Sequence, residues 1–238
     1  MVTSNRGLCG SFNTNVFKKV LSVIKEKEKL VKTGNVDLDV QNNPAAEMDV
    51  VGLGKKSVLF AKKLNLNMTA VFDTIGDKPS FEDLLPVARM AIGGFTEKKY
   101  DKIFVAYTNY RSSIAQDPMV RQVLPVSPIS IEEMLSEAGA DENKKEVVEV
   151  DSFDDYLFEP GKDLVLTTIL PRLVEMQLFQ AVLESAASEH SARMVAMKNA
   201  TEAAKDMLSE LQLSYNKARQ AAITQEISEI VGGAAALE

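Results

Sequence analysis

"MQLFQAVLESAASEHSARMVAMKNATEAAKDMLSELQLSYNKARQAA" (residues 176–222) contains neither proline nor glycine. Met176, Leu183, His190, Met197, Ala204, Leu211 and Ala218 fall seven residues apart. Ala187, Met194, Thr201, Leu208, Tyr215 and Ala222 form a second series between them. Two interleaved series of period seven, sustained for about six heptads, are the a/d pattern of a coiled coil. The helix-compatible stretch is longer still. From Lys162 to Val231 only Pro171 intervenes, near the start, and about 70 residues at ~1.5 Å each make a helix on the order of 100 Å long. A globular domain of this chain's size cannot cover that length, so the stripe requires a partner helix. Its many small residues suit close approach and bury little area per layer. His190, the one histidine, reads as a polar seam layer that sets register rather than as a pH switch.

Upstream the pattern changes. Short β-prone runs alternate with helical segments: a helix over Asn13–Lys32, a strand over Met48–Gly54, a helix over Lys55–Leu64, and a strand over Met68–Asp73. A helix over Phe81–Phe95 follows, with Ser80 as N-cap and Asp83 three residues on. Ile103–Tyr107 is a continuous apolar run suited to a strand buried on both faces, and Val120–Val126 is a further strand. This alternation predicts an α/β, Rossmann-like domain with a largely parallel sheet. Ile131–Ala138 reads as a short helix, and Val147–Val150 and Tyr156–Phe158 as edge strands before the Pro160-Gly161 break. The expected organisation is a globular domain over 1–130, a connecting segment with edge strand over 131–161, and a long coiled-coil helix over 162–238.

Composition excludes several function classes. The net charge of -7 lacks the basic excess of a nucleic-acid binder. One cysteine and one histidine form neither an intramolecular disulfide nor a Cys/His zinc site. No apolar run approaches the ~18 residues of a membrane span, and Met1-Val2-Thr3-Ser4 has no signal-peptide pattern. These features point to a soluble, cytoplasmic protein that meets membranes only through partners.

No catalytic constellation emerges. Asn5–Gly10 is a glycine-rich turn before a helix, a place where phosphate can bind, yet it matches neither common phosphate-loop spacing. Gly52–Ser57 resembles half a phosphate loop, with its first glycine at the wrong distance, and reads as a tight turn with a solvated lysine pair. Cys9 has only His190 as a candidate base and reads as a packed thiol. Asp151, Asp154, Asp155 and Glu159 lack Ca²⁺-loop spacing and form a solvated acidic loop. Lys25–Lys29 is a solvated helix face. No cofactor or metal is expected.

The sequence "SEHSARMVAMKNAT" at Ser188–Thr201, followed by "LQLSYNKARQAAITQEISEIVGGAAAL" at Leu211–Leu237, closely resembles the C-terminal helix of the gamma subunit of F-type ATP synthase. "VTSNRGLCGSFN" at Val2–Asn13 resembles that family's first-strand motif. "YLFEP" at Tyr156–Pro160 and "ILPRLVE" at Ile169–Glu175 follow in the family's order. The likeness covers essentially the whole chain, mainly by pattern over residues 25–115. The family places a long helix before the first strand, and only the end of that strand is present here, so a gamma subunit lacking its N-terminal helix is expected.

The resemblance implies a non-catalytic central rotor shaft of the proton-translocating synthase. Its C-terminal helix would be half of an antiparallel coiled coil, with Met176, Leu183, His190, Met197 and Leu211 on the seam. Partners would be the alpha and beta subunits, the epsilon subunit and the membrane c-ring, at the cytoplasmic face of the bacterial inner membrane. Arg219 and Gln220 would contact a beta-subunit loop, Thr224 and Glu226 would extend that polar contact, and Arg193 would lie on the shaft near it. Ile223, Ile227, Ile230, Val231 and Leu237 would turn in an apolar collar. The alternative from another class is an α/β nucleotide-binding protein dimerised through its coiled coil.

Overall fold

The computed structural model describes residues 1–32, 48–73, 75, 77–126 and 161–235. The segments expected at Ile131–Ala138, Val147–Val150 and Tyr156–Phe158, the acidic group Asp151, Asp154, Asp155 and Glu159, and Leu237 lie outside these residues. The elements run α1 (Phe12–Lys32), β1 (Asp49–Leu53), α2 (Lys56–Leu64), β2 (Asn67–Phe72), α3 (Phe81–Thr96), β3 (Ile103–Tyr110), β4 (Gln116–Leu124) and α4 (Lys162–Ala235). Two compact units are present, Met1–Arg193 and Met194–Glu238.

In the first unit, β1 and β2 pair in parallel, with Asp49 opposite Asn67 and Leu53 opposite Phe72. The second pair, β3 and β4, is antiparallel, with Phe104 opposite Gln122 and Tyr110 opposite Gln116. The fourth strand therefore begins at Gln116, earlier than the expected Val120, and ends at Leu124. Five residues separate β3 from β4, enough for a hairpin and too few for a parallel crossover. Pro118 obscures this strand in the sequence, since proline lacks the N–H a central strand needs. It is accommodated opposite Thr108 because β4 pairs only with β3 among the described residues.

The first residues of the chain join the two pairs. Leu53 N donates to Met1 O at 2.9 Å and Thr3 N to Leu53 O at 2.8 Å, while Val2 N donates to Ala106 O of β3 at 2.8 Å. The segment Met1–Thr3 thus lies between β1 and β3, and Val2 is a parallel bridge partner of Leu53. The core forms around it from Leu84 and Val87 of α3, Val105 and Tyr107 of β3, and Val174 and Leu178 of α4. Helix α1 packs on the hairpin, burying Phe12 and Val16. Its Phe17 stacks on Phe60 of α2 with ring centroids 4.2 Å apart.

Two local devices set the element ends. Ser80 Oγ accepts from Asp83 N at 3.2 Å while Asp83 Oδ2 accepts from Ser80 N, the reciprocal capping box read from the sequence. After α3 the chain turns through Lys98, whose φ is +57°, and brings the Tyr100 ring onto Gly94. A Cβ at Gly94 would lie 2.7 Å from that ring. Tyr100 Oη then donates to Asp49 Oδ2 at 2.6 Å, and Asn67 Nδ2 donates to the other carboxylate oxygen. The Tyr100 hydrogen bond, aided by Asn67 and Thr69, holds the Asp49 carboxyl below its ordinary value.

A depressed carboxylate pKa contributes stability above the unfolded-state value, and that contribution disappears as pH falls through the folded value. Tyr100→Phe removes the main cause. Its stability deficit, about 1 kcal/mol near neutral pH, should shrink in acid, as read from urea unfolding at stepped pH. Gly54 offers a second check. Its φ is +98° and a Cβ there would collide with the Thr3 carbonyl. Gly54→Ala should therefore cost at least ~2 kcal/mol, measured by thermal unfolding.

Candidate functional site: the two faces of the long helix

Helix α4 follows its sequence pattern: 74 residues without a break, Pro171 included. Pro171 is the tenth residue of the helix, so it forgoes the main-chain hydrogen bond to Thr167 O, and the helix continues through it. From Val174 to Ser191 one stripe is buried against the first unit: Val174, Leu178, Ala181, Val182, Ser185, Ser188 and Ser191. The heptad series lies elsewhere on the surface. Met176 is 58% exposed, Leu183 42% and Met197 44%, and His190 is also exposed. Within the packed part of the helix the seam positions are offset by two residues from buried ones (176 from 174 and 178, 183 from 181 and 185, 190 from 188). At about 100° per residue that offset places the seam on the far side. The apolar seam is therefore not what packs α4 onto its own domain.

His190 nevertheless has a partner. Its Nε2 lies 3.2 Å from Asp77 O, and since a carbonyl only accepts, Nε2 carries the proton in this contact. Arg193 is engaged as well. Its Nη2 meets Glu189 Oε1 at 2.5 Å, and its Nε donates to Gly7 O at 3.4 Å. Ser188 and Ser191, which the sequence reading passed over, donate to Thr108 O at 3.2 Å and Ser113 O at 2.8 Å. The only sequence signal for them was small polar residues at helical spacing opposite the heptad stripe.

In the second unit the helix surface is open. Arg219, Gln220, Thr224 and Glu226 are exposed, and Thr224 Oγ1 donates to Gln220 O at 2.9 Å. Leu208, Leu211 and Tyr215 are each more than 60% exposed. Ile223, Ile227, Ile230 and Val231 continue an apolar stripe at i, i+4, i+7 and i+8, 48–71% exposed. An exposed apolar stripe of this length is unusual on a water-facing helix. Among the described residues no helix is long and apolar enough to cross a membrane.

The Gly52–Ser57 turn does not form an anion site. At the start of α2, Ser57 N donates to Thr3 Oγ1 at 3.0 Å, Lys56 N to Ser4 O at 3.3 Å, and Lys55 N to Asn5 Oδ1 at 3.0 Å. The helix N-terminal donors that would cradle a phosphate are occupied by the chain's own oxygens. Gly52 and Gly54 serve close approach: a Cβ at Gly52 would strike Ser57, and one at Gly54 would strike Thr3. In the first turn Cys9 is buried, with Asn13 Nδ2 donating to its Sγ at 3.3 Å. A cleft of about 270 Å³ beside Met1 is lined mostly by apolar side chains, Val20, Phe60, Val87 and Phe104 among them. Its carboxylate, Asp49, is already bound by Tyr100 and Asn67. Among the described residues no cluster of His, Cys, Asp or Glu could hold a metal ion.

Residues 1–237 match the family described as ATP synthase. The ATP synthase gamma chain of Chloroflexus aurantiacus is 41% identical over 237 residues, covering 100% of this chain and 71% of that protein. The ATP synthase gamma chain of Ruthia magnifica subsp. Calyptogena magnifica is 38% identical over 237 residues, covering 100% and 72%. Among solved structures, a chain of the Euglena gracilis mitochondrial ATP synthase in rotational state 3 superposes with a TM-score of 0.60 at 22% identity, over 99% of this chain and 71% of that one. At that identity the likeness is one of fold.

The two faces predict different costs. Leu178→Ala on the buried face should destabilise the chain by about 2–4 kcal/mol. Met176→Ala, two residues away on the open face, should change it by no more than ~0.5 kcal/mol. Urea unfolding of both variants checks the assignment.

Proposed function

Because the chain belongs to the ATP synthase gamma-chain family, a non-catalytic subunit, we propose that it is the central rotor shaft of a proton-translocating F-type ATP synthase. The observation that carries this reading is the open apolar face of α4 on a family member whose head domain is already packed on the opposite face. An exposed stripe from Met194 through Val231 suits a helix that works inside a sleeve. The sleeve is the hexamer of alpha and beta subunits, and the epsilon subunit and c-ring bind the head. Contact with the membrane runs through these partners, at the cytoplasmic face of a bacterial inner membrane. The seam Met176, Leu183, His190, Met197 and Leu211 takes a second, antiparallel helix.

Arg219 and Gln220 meet a loop of the beta subunit, with Thr224 and Glu226 extending the polar contact one to two turns on. Arg193 acts lower on the shaft, where its pairing with Glu189 keeps the guanidinium oriented. Ile223, Ile227, Ile230 and Val231 ride in an apolar collar, where non-directional contacts let the surface turn without breaking hydrogen bonds. Rotation of the c-ring thereby reaches the catalytic beta subunits as a sequence of conformational states. The organisation follows as a globular domain over 1–130, a connecting segment over 131–161, and the shaft helix over 162–238.

Co-purification with alpha and beta subunits tests the reading, and failure to associate when a covering helix is also supplied would sink it. In the assembled complex, Arg219→Ala and Gln220→Ala should each lower turnover, since contacts to charged groups are worth about 1.5–3 kcal/mol. Both residues are exposed, so the thermal midpoint of the chain itself should stay within about 1 °C of the parent.

A further inference from the structure

Residues 188–193 of α4 make four side-chain hydrogen bonds to segments outside the helix, and each of these four acceptors is a main-chain carbonyl. Ser188 Oγ donates to Thr108 O at the end of β3, and Ser191 Oγ donates to Ser113 O in the hairpin turn. His190 Nε2 reaches Asp77 O in the loop after β2, and Arg193 Nε reaches Gly7 O in the first turn of the chain. Three segments far apart in sequence, around Gly7, Asp77 and the Thr108–Ser113 end of the hairpin, converge on six consecutive residues.

Their placement around the helix is not random. Ser188 and Ser191 are three residues apart and share one side. His190 and Arg193 each follow a serine by two residues, about 200° round the axis. One pair therefore holds the hairpin side and the other holds the opposite loops. Bonds on two opposed flanks resist rotation of the helix about its own axis in either sense, where a single row would act as a hinge.

The seats are themselves fixed. Arg111 and Asp117 pair at 2.8 Å across the hairpin, and Ser112 Oγ accepts from Ala115 N at 3.0 Å inside its turn. Asn5 Nδ2 donates to Ile75 O at 2.9 Å, and Arg6 lies 3.5 Å from Asp77, which hold the loop that carries the Asp77 carbonyl. Ser4 Oγ donates to Arg6 O at 2.7 Å beneath Gly7. Glu189 steadies Arg193.

We propose that Ser188, His190, Ser191 and Arg193 form an anti-rotation clamp that locks α4 to the head domain, so that torsional load on the helix passes into the head at this turn. They are positioning residues, and their role rests on the shaft reading above. Ser188 and Ser191 are the natural probes, because both are buried and neither belongs to the proposed subunit contacts or the seam.

The test is hydrogen–deuterium exchange on the full chain carrying Ser188→Ala and Ser191→Ala together, followed by assembly with the remaining synthase subunits. Amides of residues 186–196 should exchange faster, by roughly fivefold for each hydroxyl removed, while those of 174–182 keep their protection. Ser191→Thr, which retains the hydroxyl, should restore the parent rate at that position relative to Ser191→Ala. In the assembled complex, protons pumped per ATP hydrolysed should fall while hydrolysis itself continues. Unchanged exchange in the double variant overturns the clamp. Faster exchange with undiminished pumping per ATP overturns its coupling role. If the parent chain fails to assemble even with a covering helix supplied, the shaft reading is what fails, and the exchange result decides the clamp alone.

Discussion

Main-chain hydrogen bonds of Met1–Thr3 join the two strand pairs of the first unit. Among the described residues no other main-chain hydrogen bonds link β1–β2 to β3–β4, and a two-stranded ribbon alone is of marginal stability in water. With Leu53 N on Met1 O, Thr3 N on Leu53 O and Val2 N on Ala106 O, the two pairs share one interior. Much of the surrounding sequence serves this insertion. Gly54 lacks a Cβ where the Thr3 carbonyl passes. Thr3 Oγ1 accepts from Ser57 N, and Asn5 ties the start of α2 to the loop after β2. The Gly52–Ser57 turn, half a phosphate loop by sequence, has its main-chain donors taken up by oxygens of its own chain.

The second constraint is that α4 answers to two environments. Its inner stripe is short, ends at Ser191, and is built of Val, Leu, Ala and Ser, which allow close approach to the sheet and the hairpin. Its outer stripe uses Met, Leu and Ile and continues through the second unit. An amphipathic helix on a lone domain has one apolar face and one polar face. Two apolar faces on opposite sides mean two partners, and the first unit supplies only one of them. That asymmetry gives the family assignment a physical counterpart in this chain: one face packs into the head and the other is exposed.

Much of this was legible from sequence because the signals were local or strictly periodic. The Ser80–Asp83 capping box, the buried run at β3, the tight Gly52–Ser57 turn and the length of α4 each depend on neighbours within a few residues. The β3–β4 hairpin was not legible as such, because Pro118 masked the first half of β4 and the direction of pairing depends on the five-residue turn. Ser188 and Ser191 were silent for a different reason. A serine on a helix commonly bonds its own backbone, as Thr201, Ser209 and Thr224 do here, and only the position of Thr108 and Ser113 turns these two outward.

By itself the sequence determined that a long unbroken helix carries a heptad stripe and that an α/β domain precedes it, since both follow from periodicity and chain connectivity. Its motifs also carried the family likeness. Tertiary structure decided which face of the helix the domain uses, where the chain's first residues insert, and which side chains grip the helix. Those depend on groups tens to more than a hundred residues apart, such as His190 with Asp77 and Arg193 with Gly7. Backbone carbonyls are present at every residue, so no sequence pattern marks the ones that become seats until the fold brings them to the helix.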